Sequence, residues 1–186
     1  MLLNNQVQIF EEFLRDFDAR LTGSFIAKKK KLNQKTVSNY LNKLEKEHIL
    51  KSKTQGKNKL YSLNLDNKEI LKNFIISVEH LRTINFYKKH ILIKEVAEKM
   101  QSHIKGTAII FGSYAKNTQK DNSDLDILII GKSDEKKINK LSKIYRIKIN
   151  IKIYPKLEKD ILTKEVIKNH IIIKNAEQFI EKILNG

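Results

Sequence analysis

The chain has 186 residues, 40% of them hydrophobic, enough for a packed core in one ordinary domain or two small ones. It has no cysteine, which excludes disulfides and cysteine-ligated zinc and fits a cytoplasmic protein. Its formal charge of +16 is spread as +7 over 1–65, +2 over 66–104 and +7 over 105–186, a balance that suggests a polyanionic partner.

The start, MLLNNQVQIFEEF, lacks the basic n-region and cleavage site of a signal peptide. No apolar run reaches the roughly 18 residues needed to span a bilayer, so no membrane partner is expected. Residues 6–20 place Val7, Phe10, Phe13, Leu14 and Phe17 at helical spacing. A short helix follows over 24–32, and a third over 34–48 with Val37, Tyr40, Leu41 and Leu44 on one face. Asn33 is its expected N-cap, since its side chain can accept from a free N–H of the first turn. Residues 49–65 alternate around Gln55-Gly56-Lys57-Asn58 and read as a hairpin.

Inward packing of that apolar face turns Gln34, Lys35, Thr36, Ser38, Asn39, Asn42 and Lys43 outward. These amide, hydroxyl and ammonium groups suit base edges and phosphates in a major groove. Lys28 to Lys31 precede them, and Lys51, Lys53, Lys57 and Lys59 decorate the hairpin, as a phosphate clamp would require. A solvated helix face, or a winged helix that docks protein, would carry the same charges. The stretch FIAKKKKLNQKTVSNYLNKLEKEHILKSKTQGKNKLYSL resembles a winged helix-turn-helix domain, which implies DNA binding by 1–65. Such domains commonly read two-fold sites, so a homodimer is a further expectation.

Residues 66–104 read as a helical connector, with one stripe of Ile70, Leu71, Phe74, Ile75, Val78 and Leu81 and another of Ile91, Val96, Ala97, Met100 and Ile104. Gly106 is expected to end it. A strand over 107–111 follows, then a loop, a strand over 125–130, and a polar helix over 134–144 whose N-terminus is Ser133-Asp134-Glu135. A third strand alternates, with Ile147, Ile149, Ile151 and Ile153 on one side and Lys148, Asn150 and Lys152 on the other. The last helix is expected to contain 170–184. His170, ahead of the apolar run Ile171–Ile173, reads as a packing or capping residue. The fold class is α+β: a winged helix, a connector, and a small mixed sheet over 105–186.

The stretch IIFGSYAKNTQKDNSDLDILII, residues 109–130, carries the chemistry. Gly112 directly follows an apolar strand, where a missing Cβ lets backbone approach a phosphate. Ser113 adds a hydroxyl and an N–H, and the turn into a helix at Tyr114-Ala115 offers more N–H donors. Asp124 and Asp126, two apart on a strand, share one face about 6.6 Å apart along the chain. Their carboxylates can therefore converge on one Mg²⁺ and reach towards a second about 3.5–4 Å away. Lys116 and Lys120 lie in the intervening segment, placed to meet a triphosphate.

The Phe111-Gly112-Ser113-Tyr114-Ala115 run and Ser123-Asp124-Leu125-Asp126 resemble, in order and spacing, the signature of polymerase-β-type nucleotidyltransferases. Within that superfamily they are similar to the minimal nucleotidyltransferases of bacteria and archaea. The resemblance implies Mg²⁺ (or Mn²⁺) held by Asp124 and Asp126, the catalytic pair. It implies a nucleoside triphosphate bound by Gly112, Ser113, Lys116 and Ser123, with ATP taken as the example and the base left open. Nucleoside monophosphate would pass to a hydroxyl acceptor on a protein, small molecule or nucleic-acid end. Minimal nucleotidyltransferases often serve as antitoxins, which implies a small helical HEPN-type toxin as partner.

Two departures stand out. Asn117 replaces a frequent glycine in a turn that asparagine tolerates. The third strand lacks the acid that active members use to complete the second metal site; Asn150 is the best match to its position, with Asp134 and Glu135, just beyond the second strand, as alternatives. Asparagine can ligate weakly through its carbonyl but cannot act as a base. The alternative is therefore a DNA-binding regulator whose site holds nucleotide without turnover.

Overall fold

The computed structural model describes residues 4–185; residues 1–3, part of the start read for a signal peptide, and residue 186 lie outside the described residues. The chain forms two compact units, Met1–Val78 and Glu79–Gly186. The helical connector expected at 66–104 is divided between them. Helix α4 (Lys68–Lys89) gives its first half to one unit and its second half to the other, and helix α5 (Ile91–Gln101) belongs to the second. Among the described residues no helix is long and apolar enough to cross a membrane.

The first unit begins with α1 (Asn4–Leu14), which buries Val7, Phe10, Phe13 and Leu14. The helix stops earlier than Phe17, because Asp16 and Asp18 make a turn in which the Asp16 carboxylate accepts from the Asp18 N–H. A strand absent from the sequence reading, β1 (Leu21–Thr22), leads into α2 (Gly23–Lys30), capped by the Thr22 hydroxyl. Helix α3 (Gln34–Lys46) buries Val37, Tyr40, Leu41 and Leu44, and its cap is Asn33, which accepts from the N–H groups of Lys35 and Thr36. The hairpin comprises β2 (Leu50–Gln55) and β3 (Asn58–Leu63), with Gly56 at a left-handed φ of 59° in the turn. Strand order β1-β3-β2, antiparallel throughout, completes a winged helix-turn-helix. The start of α4 closes this core, where Phe74 meets Phe10 edge-on.

The second unit carries a mixed four-stranded sheet of order β6-β5-β4-β7. Its members are β4 (Ile104–Phe111), β5 (Leu125–Ser133), β6 (Ile149–Tyr154) and β7 (Ile171–Lys174). The short helix α6 (Gly112–Lys116) follows β4, α7 (Glu135–Tyr145) follows β5, α8 (Ile161–Lys168) follows β6, and α9 (Ala176–Asn185) closes the chain. Asp134 caps α7, accepting from the Lys137 N–H. Strands β5 and β6 are parallel, whereas β4 is antiparallel to both β5 and β7.

One sheet face buries Ala108, Ile110, Leu125, Ile127 and Ile129 against Val96, Ala97 and Met100 of α5 and Ile138 of α7. Each Å² of apolar surface removed from water here stabilises the unit by about 25 cal/mol. The 2.0 period of a strand then sends Asp126 to the opposite face.

Two expectations are corrected. Gly106 does not end a segment; it lies inside β4 opposite Gly131, both at positive φ. A Cβ on either would run into the carbonyl oxygen of Ile130 or Lys105, so only a glycine pair permits this approach. Ile171–Lys174 is not helical. Three consecutive β-branched residues, buried and registered against Ile109 and Ile110, form a strand, and the last helix begins only at Ala176.

Candidate functional site

The end of β4 and the start of β5 meet because Phe111 and Asp126 are register partners. The chain therefore leaves β4 at Gly112 directly beside the Asp126 carboxylate. Gly112 has φ +69°, and a Cβ there would lie 3.1 Å from the Asp126 carboxyl carbon and overlap Oδ2. One turn of α6 then presents Ser113 and Tyr114, and Asn117 ends it in the left-handed region at φ 56°. That conformation explains the glycine usual at this position, and asparagine is among the few other residues that adopt it readily. The return loop is tied down by Thr118 N–H donating to the Ser113 carbonyl at 3.0 Å. Ser123 turns its hydroxyl oxygen to the Lys120 N–H at 2.8 Å, shaping the loop rather than projecting from it. Lys116 and Lys120 are exposed and touch neither aspartate among the described residues.

Asp126 faces Asn150 across the parallel β5–β6 pair, so Asn150 does occupy the strand position opposite the second aspartate. Its amide nitrogen donates to Asp124 Oδ2 at 3.1 Å and to Asp126 Oδ1 at 3.0 Å. The Lys148 ammonium completes the group, 2.6 Å from Asp124 Oδ2. Those contacts with Lys148 and Asn150 hold the Asp124 carboxyl below the usual carboxylate range, and Asp124 raises the Lys148 ammonium in return.

Both aspartates converge on one nitrogen, so their carboxylates can share one divalent cation. Gly112, with no Cβ, lets the backbone of the turn pack directly against the Asp126 carboxylate. Mg²⁺ sites commonly use one or two carboxylates plus substrate phosphates, so this donor set fits one such ion. It does not fit a cage of protein carboxylates, for no group of three or more acidic, histidine or cysteine side chains converges among the described residues. The sequence reading placed Lys148 beside Asn150 but missed its pairing with Asp124; the period-2 alternation of β6, which puts 148 and 150 on one face, was the available signal.

The face of α3 is less open than its sequence suggests. Gln34, Lys35, Thr36, Asn39 and Lys43 are exposed, and Lys57 is exposed at the hairpin turn. Ser38 is half-buried at the crossing with α2, where a Cβ on Gly23 would lie 3.2 Å from its hydroxyl. Asn42 is tied to the wing, its amide oxygen accepting from the Tyr61 hydroxyl at 2.7 Å and the Lys59 ammonium at 3.1 Å. Lys59 also pairs with Glu45 at 2.6 Å. Burial opposes the charge of Glu45, but Lys59 and the Ser52 hydroxyl hold its carboxyl low.

Other lysines of the basic clusters are likewise partnered. Lys29 and Lys30 reach the buried Glu12 at 2.6 and 3.0 Å, and Lys51 reaches Asp66 at 2.9 Å. The sheet face away from α3 forms a hollow lined by Arg20, Lys51, Lys53, Leu60 and Ser62. Arg20 was not singled out from the sequence because β1, which places it there, is only two residues long.

The second unit thus has a nucleotidyltransferase-type architecture, with a glycine-serine turn facing an aspartate pair at the end of a mixed sheet. Residues 90–182 match the nucleotidyltransferase domain family model, and the chain belongs to that family. No curated protein matches the chain. Among solved structures it is similar to MepR, a transcription regulator of the Staphylococcus aureus multidrug efflux pump MepA. The match has 20% identity and a TM-score of 0.36, over 54% of this chain and 78% of that one.

Proposed function

We propose that the second unit binds a nucleoside triphosphate with Mg²⁺ or Mn²⁺ and transfers its nucleoside monophosphate to a hydroxyl acceptor. The observation that carries this reading is the packing of the Asp126 carboxylate against Gly112, with Asp124 turned to the same nitrogen of Asn150. Asp124 and Asp126 would hold the ion, which when bound neutralises charge on the phosphates and the leaving pyrophosphate. Gly112 and Ser113 would seat the phosphates, Lys116 would screen them, and Ser123 would keep the loop in shape. The acceptor oxygen bonds to the α-phosphorus as the bond to pyrophosphate breaks. Asn150 cannot take the acceptor's proton, so that proton passes to solvent.

The exposed polar side of α3 and Lys57 support DNA binding by the first unit, with Gln34, Lys35, Thr36, Asn39 and Lys43 as its contacts. Ser38 and Asn42 would set the helix in place, Asn42 keeping its amide N–H groups for a base edge. A protein hydroxyl on a HEPN-type toxin is the acceptor that the family resemblance favours, and a homodimer would match a two-fold DNA site. Incorporation of label from α-³²P-ATP into a co-expressed partner, abolished by Asp126→Asn, is the expected result. No incorporation into any co-purifying acceptor would overturn the transferase reading.

A second reading is favoured by Asn150 standing where an acid would complete the site: a DNA-binding regulator that holds nucleotide without turnover. Under it, nucleotide binds to the wild type, shifts its DNA affinity, and leaves no label on any acceptor.

A further inference from the structure

Asp126 turns its two oxygens to different neighbours, Oδ2 to Gly112 and Oδ1 to the Asn150 amide. Asp124 Oδ2 is taken by the same amide and by the Lys148 ammonium. The pair is therefore divided: its Gly112 side faces the turn that would seat a phosphate, and its β6 side is filled by nitrogen donors. Two-metal sites hold their ions about 3.5–4 Å apart and bridge them with carboxylate. Here the side away from Gly112 presents a fixed ammonium and an amide instead of a further acid.

Strand stability does not explain Lys148. The Leu125 N–H donates to the Lys148 carbonyl at 2.8 Å, so backbone already joins β6 to β5 at this point. The Lys148 side chain is 71% exposed, and exposed ion pairs add little to stability. An exposed lysine held 2.6 Å from a site carboxylate is better explained by what the site must bind.

Resting on the nucleotide-site reading above, we propose that Lys148 and Asn150 replace the second divalent cation, so that the site holds a nucleoside triphosphate with one divalent ion only. The ammonium supplies positive charge to the carboxylate pair and to the phosphates, but as a fixed single charge it cannot bind an acceptor oxygen as a metal does.

Equilibrium dialysis of the full chain with Mn²⁺ and α,β-methylene-ATP, which cannot be turned over, counts both ligands per protein. The wild type should retain one Mn²⁺ per nucleotide, and Lys148→Ala/Asn150→Asp should retain two. Lys148→Ala alone should keep one Mn²⁺ and bind nucleotide about tenfold or more weakly, the scale of a lost charge-assisted hydrogen bond; Lys148→Arg should recover most of that loss. Two Mn²⁺ on the wild type would overturn the inference without any variant, as would a double variant still holding one. Wild-type protein that retains no nucleotide would instead overturn the nucleotide-site reading itself.

Discussion

Gly112 and Asp126 are packed so closely that the aspartate carboxylate occupies the volume of the glycine's missing side chain. The contact joins the turn proposed to seat phosphate to the acid proposed to hold the metal. Gly112→Ala would place a methyl group against that carboxylate and strain a backbone at φ +69°. Strain of this kind costs of order 1–3 kcal/mol. Titration with a fluorescent ATP analogue should show at least about a tenfold loss of affinity, since Asp126 must move from its place. Affinity equal to the wild type's would separate the glycine from the nucleotide site.

Asn117 tests the neighbouring turn. At φ 56° it sits in a region that costs most residues roughly 1–2 kcal/mol. Asn117→Ala should lower stability by about 1 kcal/mol in urea, and Asn117→Gly should be neutral or stabilising. Equal losses in both variants would mean that the asparagine side chain, and not the backbone, is what matters there.

For the first unit, ion pairing sorts the lysines. Lys35 and Lys57 have no ion-pair partner among the described residues, and Lys43 meets Glu47 only at 3.7 Å. Lys29 and Lys59 are paired at 2.6 Å. Removing Lys35, Lys43 or Lys57 should reduce the salt slope of DNA binding by about 0.9 per lost phosphate contact. Removing Lys29 should reduce it less, and measured slopes in the reverse order would discard the proposed clamp.

The same residues show how far sequence reading extends. Local signals held well: Asn33 as cap, Gly56 in the hairpin turn and the α3 stripe all follow from nearby residues, whereas Asn150 is singled out by the family resemblance. What failed depended on partners distant in sequence. Ile171–Lys174 became a strand because β4 offered a free edge, and Gly106 and Gly131 share one close backbone approach. Asn42 and Lys59, 17 residues apart, looked like two free DNA contacts until the wing folded onto α3. The Lys148–Asp124 pair spans 24 residues; alternation puts Lys148 on the face of Asn150, but the parallel register that brings it to Asp124 has no local pattern.

His170 illustrates a structural role that also predicts pH behaviour. Its Nε2 lies 3.1 Å from Glu79 Oε1, and Arg82 donates to the same oxygen at 2.6 Å, all within the second unit. Burial alone would raise the Glu79 carboxyl, but Arg82 and His170 outweigh it and draw it down to about 2. A carboxyl whose folded value lies below its unfolded one stabilises the fold above the unfolded value. That contribution is lost as pH falls from about 4.5 towards 2. Urea unfolding between pH 6 and 2.5 should therefore show the second unit weakening steeply below about pH 4.5. Glu79→Ala should cost about 3–5 kcal/mol at neutral pH, because it leaves buried positive and polar groups without their acceptor. Below about pH 4.5 the gap between variant and wild type should narrow, since the unfolded carboxyl takes up its proton there, and it should close as pH nears 2, where the folded carboxyl protonates as well. A gap that stays constant with pH would show that the loss comes from packing and not from the charge of Glu79.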